Sequence, residues 1–166
     1  MREEVLNEFE KIEKELMQIL SSFTDTQFNT VPFEGSWTAA RVAQHLLLAS
    51  SSALILRGPV KKTDRAPDAG IKKLKSIFLD FTTQLKSPGF IIPEDKIYDK
   101  NSLLTALEET AAELTEIIKT TDLTEICMNA PPELGEMTRL ELIRFISFHT
   151  QRHTHQLKNI YKQVTD

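Results

Sequence analysis

Three of the four histidines in this chain stand in one short stretch, FHTQRHTHQL (148–157), as His149, His153 and His155, and the fourth, His45, lies far upstream in WTAARVAQHLLLAS. A neutral imidazole is a good donor to divalent transition-metal ions. On a helix, residues four apart share a face with Cβ atoms about 5–6 Å apart. His149 and His153 have that spacing, and two such rings can reach one ion at about 2.0–2.1 Å. His155 is turned by about 200° from His153, so it cannot easily join them and reads as a surface or outer residue. The spacing also matches the H-E-x-x-H pattern of zinc proteases, but Thr150 stands where those enzymes need a glutamate base, which excludes that chemistry. Cys127, in EICMNAPP, has no histidine or other base beside it and reads as a small buried or loop residue, not a nucleophile.

The histidines must be positioned by helices. Apolar residues recur at helical spacing over 3–22 (Val5, Phe9, Ile12, Leu16, Ile19, Leu20), 38–57, 68–86 (Ile71, Leu74, Ile77, Phe78, Phe81, Leu85), 101–120 and 138–163. Pro32 and Gly35 interrupt the chain after the first segment, Ser87-Pro88-Gly89 after the third, and Pro131-Pro132 before the last. Ser36 or Thr38 can cap the second helix and Asn101 or Ser102 the fourth, while Thr138 with Glu141 forms a capping-box pattern. On the last helix, Leu142, Phe145, Ile146, Leu157 and Ile160 fall on the side of His149 and His153, so both rings point inward. His45 falls with Val42, Ala49 and Leu56 on an inward stripe, where small Ala49 and Ser52 leave room beside the ring. Three inward imidazoles need partners, and one shared ion satisfies all three in the way helix bundles build metal sites. Gln156 lies close to the His149 face and could hydrogen-bond a ligand; Arg152 flanks the pair.

Composition bounds the rest. The chain has 166 residues, 40% hydrophobic and 27% charged, with only 5 Gly, and this suits one helical domain spanning 1–166. Net charge is −4 and the basic residues are dispersed; the one cluster, RGPVKKTDR (57–65), reads as a solvated connector, so no nucleic-acid partner is expected. No leader pattern and no long apolar run point to a membrane, and a single cysteine fits a reducing compartment, so a cytoplasmic protein is expected.

The segment GSWTAARVAQHLLL followed by a late FHTQRHTHQL helix resembles the DinB-like superfamily, which includes the YfiT-type proteins. Trp37, Thr38, His45, His149 and His153 match its pattern, and FLDFTTQLKSPGFIIPED is similar to the middle of many members. The five periodic segments read as an all-α bundle of four long helices with an additional short helix, and the resemblance implies an up-down-down-up four-helix bundle, often a homodimer, holding a divalent ion (nickel, zinc or manganese) on His45, His149 and His153. It further implies a small-molecule substrate. Some members transfer bacillithiol, related proteins isomerise maleylpyruvate with mycothiol, and many have no established activity. Members often carry an acidic residue just before the first histidine, where this chain has Gln44. The leading expectation is a metal-dependent thiol S-transferase with a low-molecular-weight thiol as cosubstrate, Arg41 and Gln156 orienting the substrate. A metal-dependent hydrolase, a non-catalytic metal-binding bundle and a metal-free bundle with hydrogen-bonded histidines remain open alternatives.

Overall fold

Each of the five periodic segments contains a helix, though two helices stop before their apolar pattern does. The computed structural model describes residues 1–50 and 52–165. Helix α1 spans Arg2–Ser22 and buries Val5, Phe9, Ile12, Leu16 and Leu20. A single turn, α2 (Asp25–Phe28), is closed by reciprocal bonds between Thr24 and Gln27. Helix α3 (Ala39–Ala49) is capped by Thr38, whose hydroxyl accepts from the Arg41 N–H, and α4 (Ser52–Arg57) continues the same segment. Then come α5 (Ile71–Phe78), α6 (Lys100–Thr120) and α7 (Arg139–Thr165). Two-residue strands, β1 (Val60–Lys61) and β2 (Ile126–Cys127), pair antiparallel between them, a feature too short to leave an alternating pattern in the sequence.

The departures from the apolar pattern have local causes. At Ser50 the hydroxyl donates to the Leu46 carbonyl at 2.7 Å, a local bond that competes with the helical ladder. The side chain of Ser52 lies outside the described residues. Helix α5 begins at Ile71 and ends at Phe78, eight residues short of the pattern's end, because two sets of contacts divert the backbone. The Asp80 carboxylate accepts from the Thr82 N–H (3.0 Å) and the Thr83 hydroxyl (2.8 Å), and Arg152 donates to the carbonyls of Phe78, Asp80 and Thr83. The cap of α6 is neither Asn101 nor Ser102 but Asp99, which accepts from the Ser102 N–H at 2.8 Å. The helix starts at Lys100, one residue earlier than its apolar stripe, so Asn101 and Ser102 lie inside the first turn and Asp99, an equally good capping residue, stands at the cap.

Side-chain pairings give the direction of each bundle helix. Glu8 pairs with Arg144, and Glu13 bonds Thr150 further along, so α1 and α7 run parallel. His45 meets His149 while Arg139 donates to the Leu56 carbonyl, so α3–α4 runs antiparallel to α7. Arg2 reaches the end of α6 and Lys100 the end of α1, which makes those two antiparallel. The order is therefore up, down, down, up, and the long connection 58–99 is what two successive parallel helices require. Within that connection the basic cluster is not simply solvated. Arg57 pairs with Glu113, Lys61 with Glu136, and Arg65 grips the buried Glu141 with both guanidinium nitrogens at 2.7 Å.

The apolar core is divided in two. One half gathers Val5, Phe9, Leu56, Leu114, Ile117 and Ile143; the other gathers Leu16, Leu20, Val42, Leu107, Leu157 and Ile160. Every bundle helix places small or polar residues at the seam: Glu13 on α1, Ala49 and the following Ser50 at the end of α3, Thr110 and Ala111 on α6, and His149 and Thr150 on α7. The stretch Ala39–Arg57 is long and apolar enough to cross a membrane, but half of it is buried inside the bundle. It behaves as a core segment, whose face is apolar because it packs on α6 and α7.

Candidate metal centre

At this seam His45, His149 and His153 converge through their Nε2 atoms. His149 Nε2 lies 3.0 Å from His45 Nε2 and 3.2 Å from His153 Nε2. Two nitrogens bound to one ion at about 2.0–2.1 Å stand about 3.0 Å apart at a right angle and about 3.4 Å apart at the tetrahedral angle. The observed separations fit a shared cation.

The outward nitrogens fix the tautomers. His45 Nδ1 lies 2.8 Å from the Ile91 carbonyl, and His153 Nδ1 lies 2.8 Å from Gln156 Oε1. A carbonyl oxygen only accepts, so each Nδ1 carries the proton and each Nε2 presents a lone pair inward. Metal-ligating histidines are held in this way by partners behind the ring. The side chains also belong to rigid elements. His45 sits mid-α3 under the Trp37 ring (centroids 5.3 Å apart), while Phe145 stacks on His149 at 5.9 Å and Phe78 meets the same ring edge-on.

Electrostatics keep the three rings neutral at pH 7, the form that binds metal. Burial holds His45 below its usual value. Burial, and then the mutual charges of His153 and His45, push His149 well below it, while burial with His45 nearby brings His153 down to about 4. Glu13 shifts the opposite way: burial raises its carboxyl to about 7, against a hydrogen bond from Thr150. A depressed histidine pKa means that the unfolded chain binds more protons, so acidification from about 6.5 toward 4 removes stability. Glu13 works against this between about 4.5 and 7, where its protonation favours the folded state, but the three histidines outnumber it. The metal-free protein should therefore show a lower urea midpoint at pH 5 than at pH 7.5. An equal or higher midpoint at pH 5 would refute the neutral cluster.

Other residues singled out by the sequence are placed as follows. Gln156 is one turn beyond His153 and holds that ring. Arg41 lies one turn before His45; it donates to the Pro93 carbonyl at 3.2 Å and lies over Trp37 at 5.4 Å, so it fastens the 91–95 segment that carries the Ile91 acceptor. His155 is exposed, turned from the cluster, and stacked on Phe81 at 4.2 Å. Cys127 is buried, and burial raises its thiol pKa. Two participants were not singled out. The Ile91 carbonyl belongs to an irregular turn and leaves no signature in side-chain type. Glu13 did leave one: Phe9, Glu13, Leu16 and Leu20 follow helical spacing, which sets a carboxylate on the buried stripe of α1.

Fold and site together define a helical bundle with a tri-histidine centre shared between two antiparallel helices. The chain belongs to the DinB superfamily, whose family model matches residues 8–157. It is similar to YuaE of Bacillus subtilis strain 168, an uncharacterized protein, with 23% identity covering 94% of this chain and 96% of that protein. Among solved structures it resembles YfiT from Bacillus subtilis, described as a probable metal-dependent hydrolase with an unusual four-helix bundle topology. The TM-score there is 0.62 at 17% identity, covering 99% of this chain and 87% of that one.

Proposed function

We propose that this protein is a metal-dependent enzyme in which His45, His149 and His153 hold one divalent ion and a low-molecular-weight thiol is transferred to a small electrophile. The observation that carries the reading is the convergence of three lone-pair-bearing Nε2 atoms. Among the described residues no cysteine or carboxylate joins the group. A three-nitrogen set leaves coordination positions for reactants, as catalytic sites do and closed structural sites do not. Bound there, a divalent ion supplies Lewis acidity that favours the ionised form of a thiol or water.

The chain's own groups bind and orient. The Ile91 carbonyl and Gln156 keep two rings in register, and the rings of Trp37, Phe78 and Phe145 give an apolar wall suited to the non-polar part of an electrophile. His149 and His153 are only partly buried, so the centre reaches the surface. A second reading, hydrolysis at the same centre, is favoured by the description of YfiT.

Untagged protein should carry about one transition-metal ion per chain by mass spectrometry, as one three-histidine set implies. A panel of low-molecular-weight thiols with a chromogenic electrophile should then show turnover that is abolished by chelation and restored by metal. Chelator-sensitive ester cleavage without any thiol would favour the hydrolase. A bound ion that raises the melting temperature with no turnover of either kind would make the site structural.

A further inference from the structure

Beside His149, all four bundle helices line a small cavity of about 20 Å³, bordered by Glu13, Ser50, Thr110, His149 and Thr150 among apolar neighbours. Of the residues around it, only Glu13 and His149 are ionisable. One water molecule needs about 10–15 Å³ and two to four polar partners, and this space offers both. His149 also differs from the other two histidines in one respect. His45 and His153 each have a carbonyl behind Nδ1, whereas among the described residues His149 makes its ring hydrogen bonds through Nε2 and none through Nδ1. Glu13 is in no ion pair among the described residues, and its carboxylate accepts from the hydroxyl of Thr150, the residue next to His149. A carboxyl partly withdrawn from water without a cation is costly, and desolvation raises this one to about 7, so a polar partner inside the bundle would offset part of that cost.

We propose that Glu13 is a positioning residue of the metal centre: one water held in this cavity accepts from His149 Nδ1–H and donates to the Glu13 carboxylate, and so keeps that ring's Nε2 directed at the ion. It would complete the set in which the Ile91 carbonyl and Gln156 serve the other two rings. The inference rests on the reading that the three histidines hold an ion. A carboxylate acting behind a ligating histidine raises the basicity of the ring and fixes its orientation, and loss of such a partner weakens metal binding by about 10–100-fold.

The test uses the full chain with Zn²⁺ as the probe, titrated against a chelating dye, together with the Nδ1–H proton signals of the three rings in the Zn²⁺-loaded protein. Glu13→Leu should weaken Zn²⁺ binding by about 10–100-fold. Glu13→Gln, which keeps a carbonyl acceptor, should lose less. In both variants the His149 Nδ1–H signal should move while those of His45 and His153 stay, a selectivity that a general packing defect would not produce. The proposal is overturned if folded Glu13→Leu binds Zn²⁺ as the parent does and the His149 signal is unmoved. Should Glu13→Leu fail to fold, Glu13→Gln decides it: an unmoved His149 signal refutes the role. Failure of the parent protein to bind Zn²⁺, Ni²⁺ or Mn²⁺ at all would instead refute the metal centre itself.

Discussion

Replacing His149 with alanine should weaken binding of a divalent ion by more than about a hundredfold, beyond the loss expected for a partner behind the ligands. His149 is the ring whose Nε2 stands within 3.0 and 3.2 Å of both other Nε2 atoms, so its removal takes the shared vertex out of the donor set. The consequence for stability follows from mass action. At a free ion concentration of about 100 times Kd, binding stabilises the native state by about 2.7 kcal/mol. A chain of this size gains about 2–4 °C in Tm per kcal/mol, so metal should raise the melting temperature of the parent by about 5–11 °C. The His149→Ala variant should show almost none of that rise. If the histidines merely bond one another, metal will leave both proteins unshifted, and the metal-free bundle is then the correct description.

The second large effect lies away from the centre. Glu141 opens α7, is almost wholly buried, and accepts four times: twice from Arg65 at 2.7 Å, from the Gly70 N–H at 2.6 Å and from the Thr138 N–H at 3.0 Å. It ties the connection 58–70 to the start of the helix that carries His149 and His153 and seats the N-terminus of α5. Glu141→Ala leaves two backbone donors without their acceptor and Arg65 without its partner. Breaking a buried pair costs about 3–5 kcal/mol; Arg65 keeps a third of its side chain in water, which places this case near the lower end. A loss of about 3 kcal/mol corresponds to a fall of about 6–12 °C in Tm. A fall of less than about 2 °C by thermal melting would show that the clamp contributes little. The close fit at Gly70 belongs to the same clamp, since a Cβ there would lie 2.9 Å from Glu141 Oε1.

Much of this was legible in the chain because helical geometry is local. The spacing of His149 and His153 places them on one face, the surrounding apolar residues say which face is buried, and the same count turns His155 outward. The capping box at Thr138 and Glu141 forms as its spacing dictates, with bonds of 3.0 and 3.1 Å. The end of α5 has no such local signal, because the carbonyls of Phe78, Asp80 and Thr83 are drawn off by Arg152, seventy or so residues away. Local spacing marks Glu141 as a cap, but Arg65 and Gly70, which share it, come from the distant connection.

What the sequence by itself determined, then, is the set of amphipathic helices and the inward direction of three imidazoles, since both depend on contacts within a few residues. That His45 faces the other two, that the Ile91 carbonyl selects the Nδ1–H tautomer of His45, and that Glu13 meets His149 across a polar seam were decided only by the tertiary structure, whereas the bond from His153 to Gln156 is made within one helix. Those relations join α1, α3, α6 and α7 across up to 104 positions of chain, and no periodicity within a single helix encodes which partner a buried face will meet.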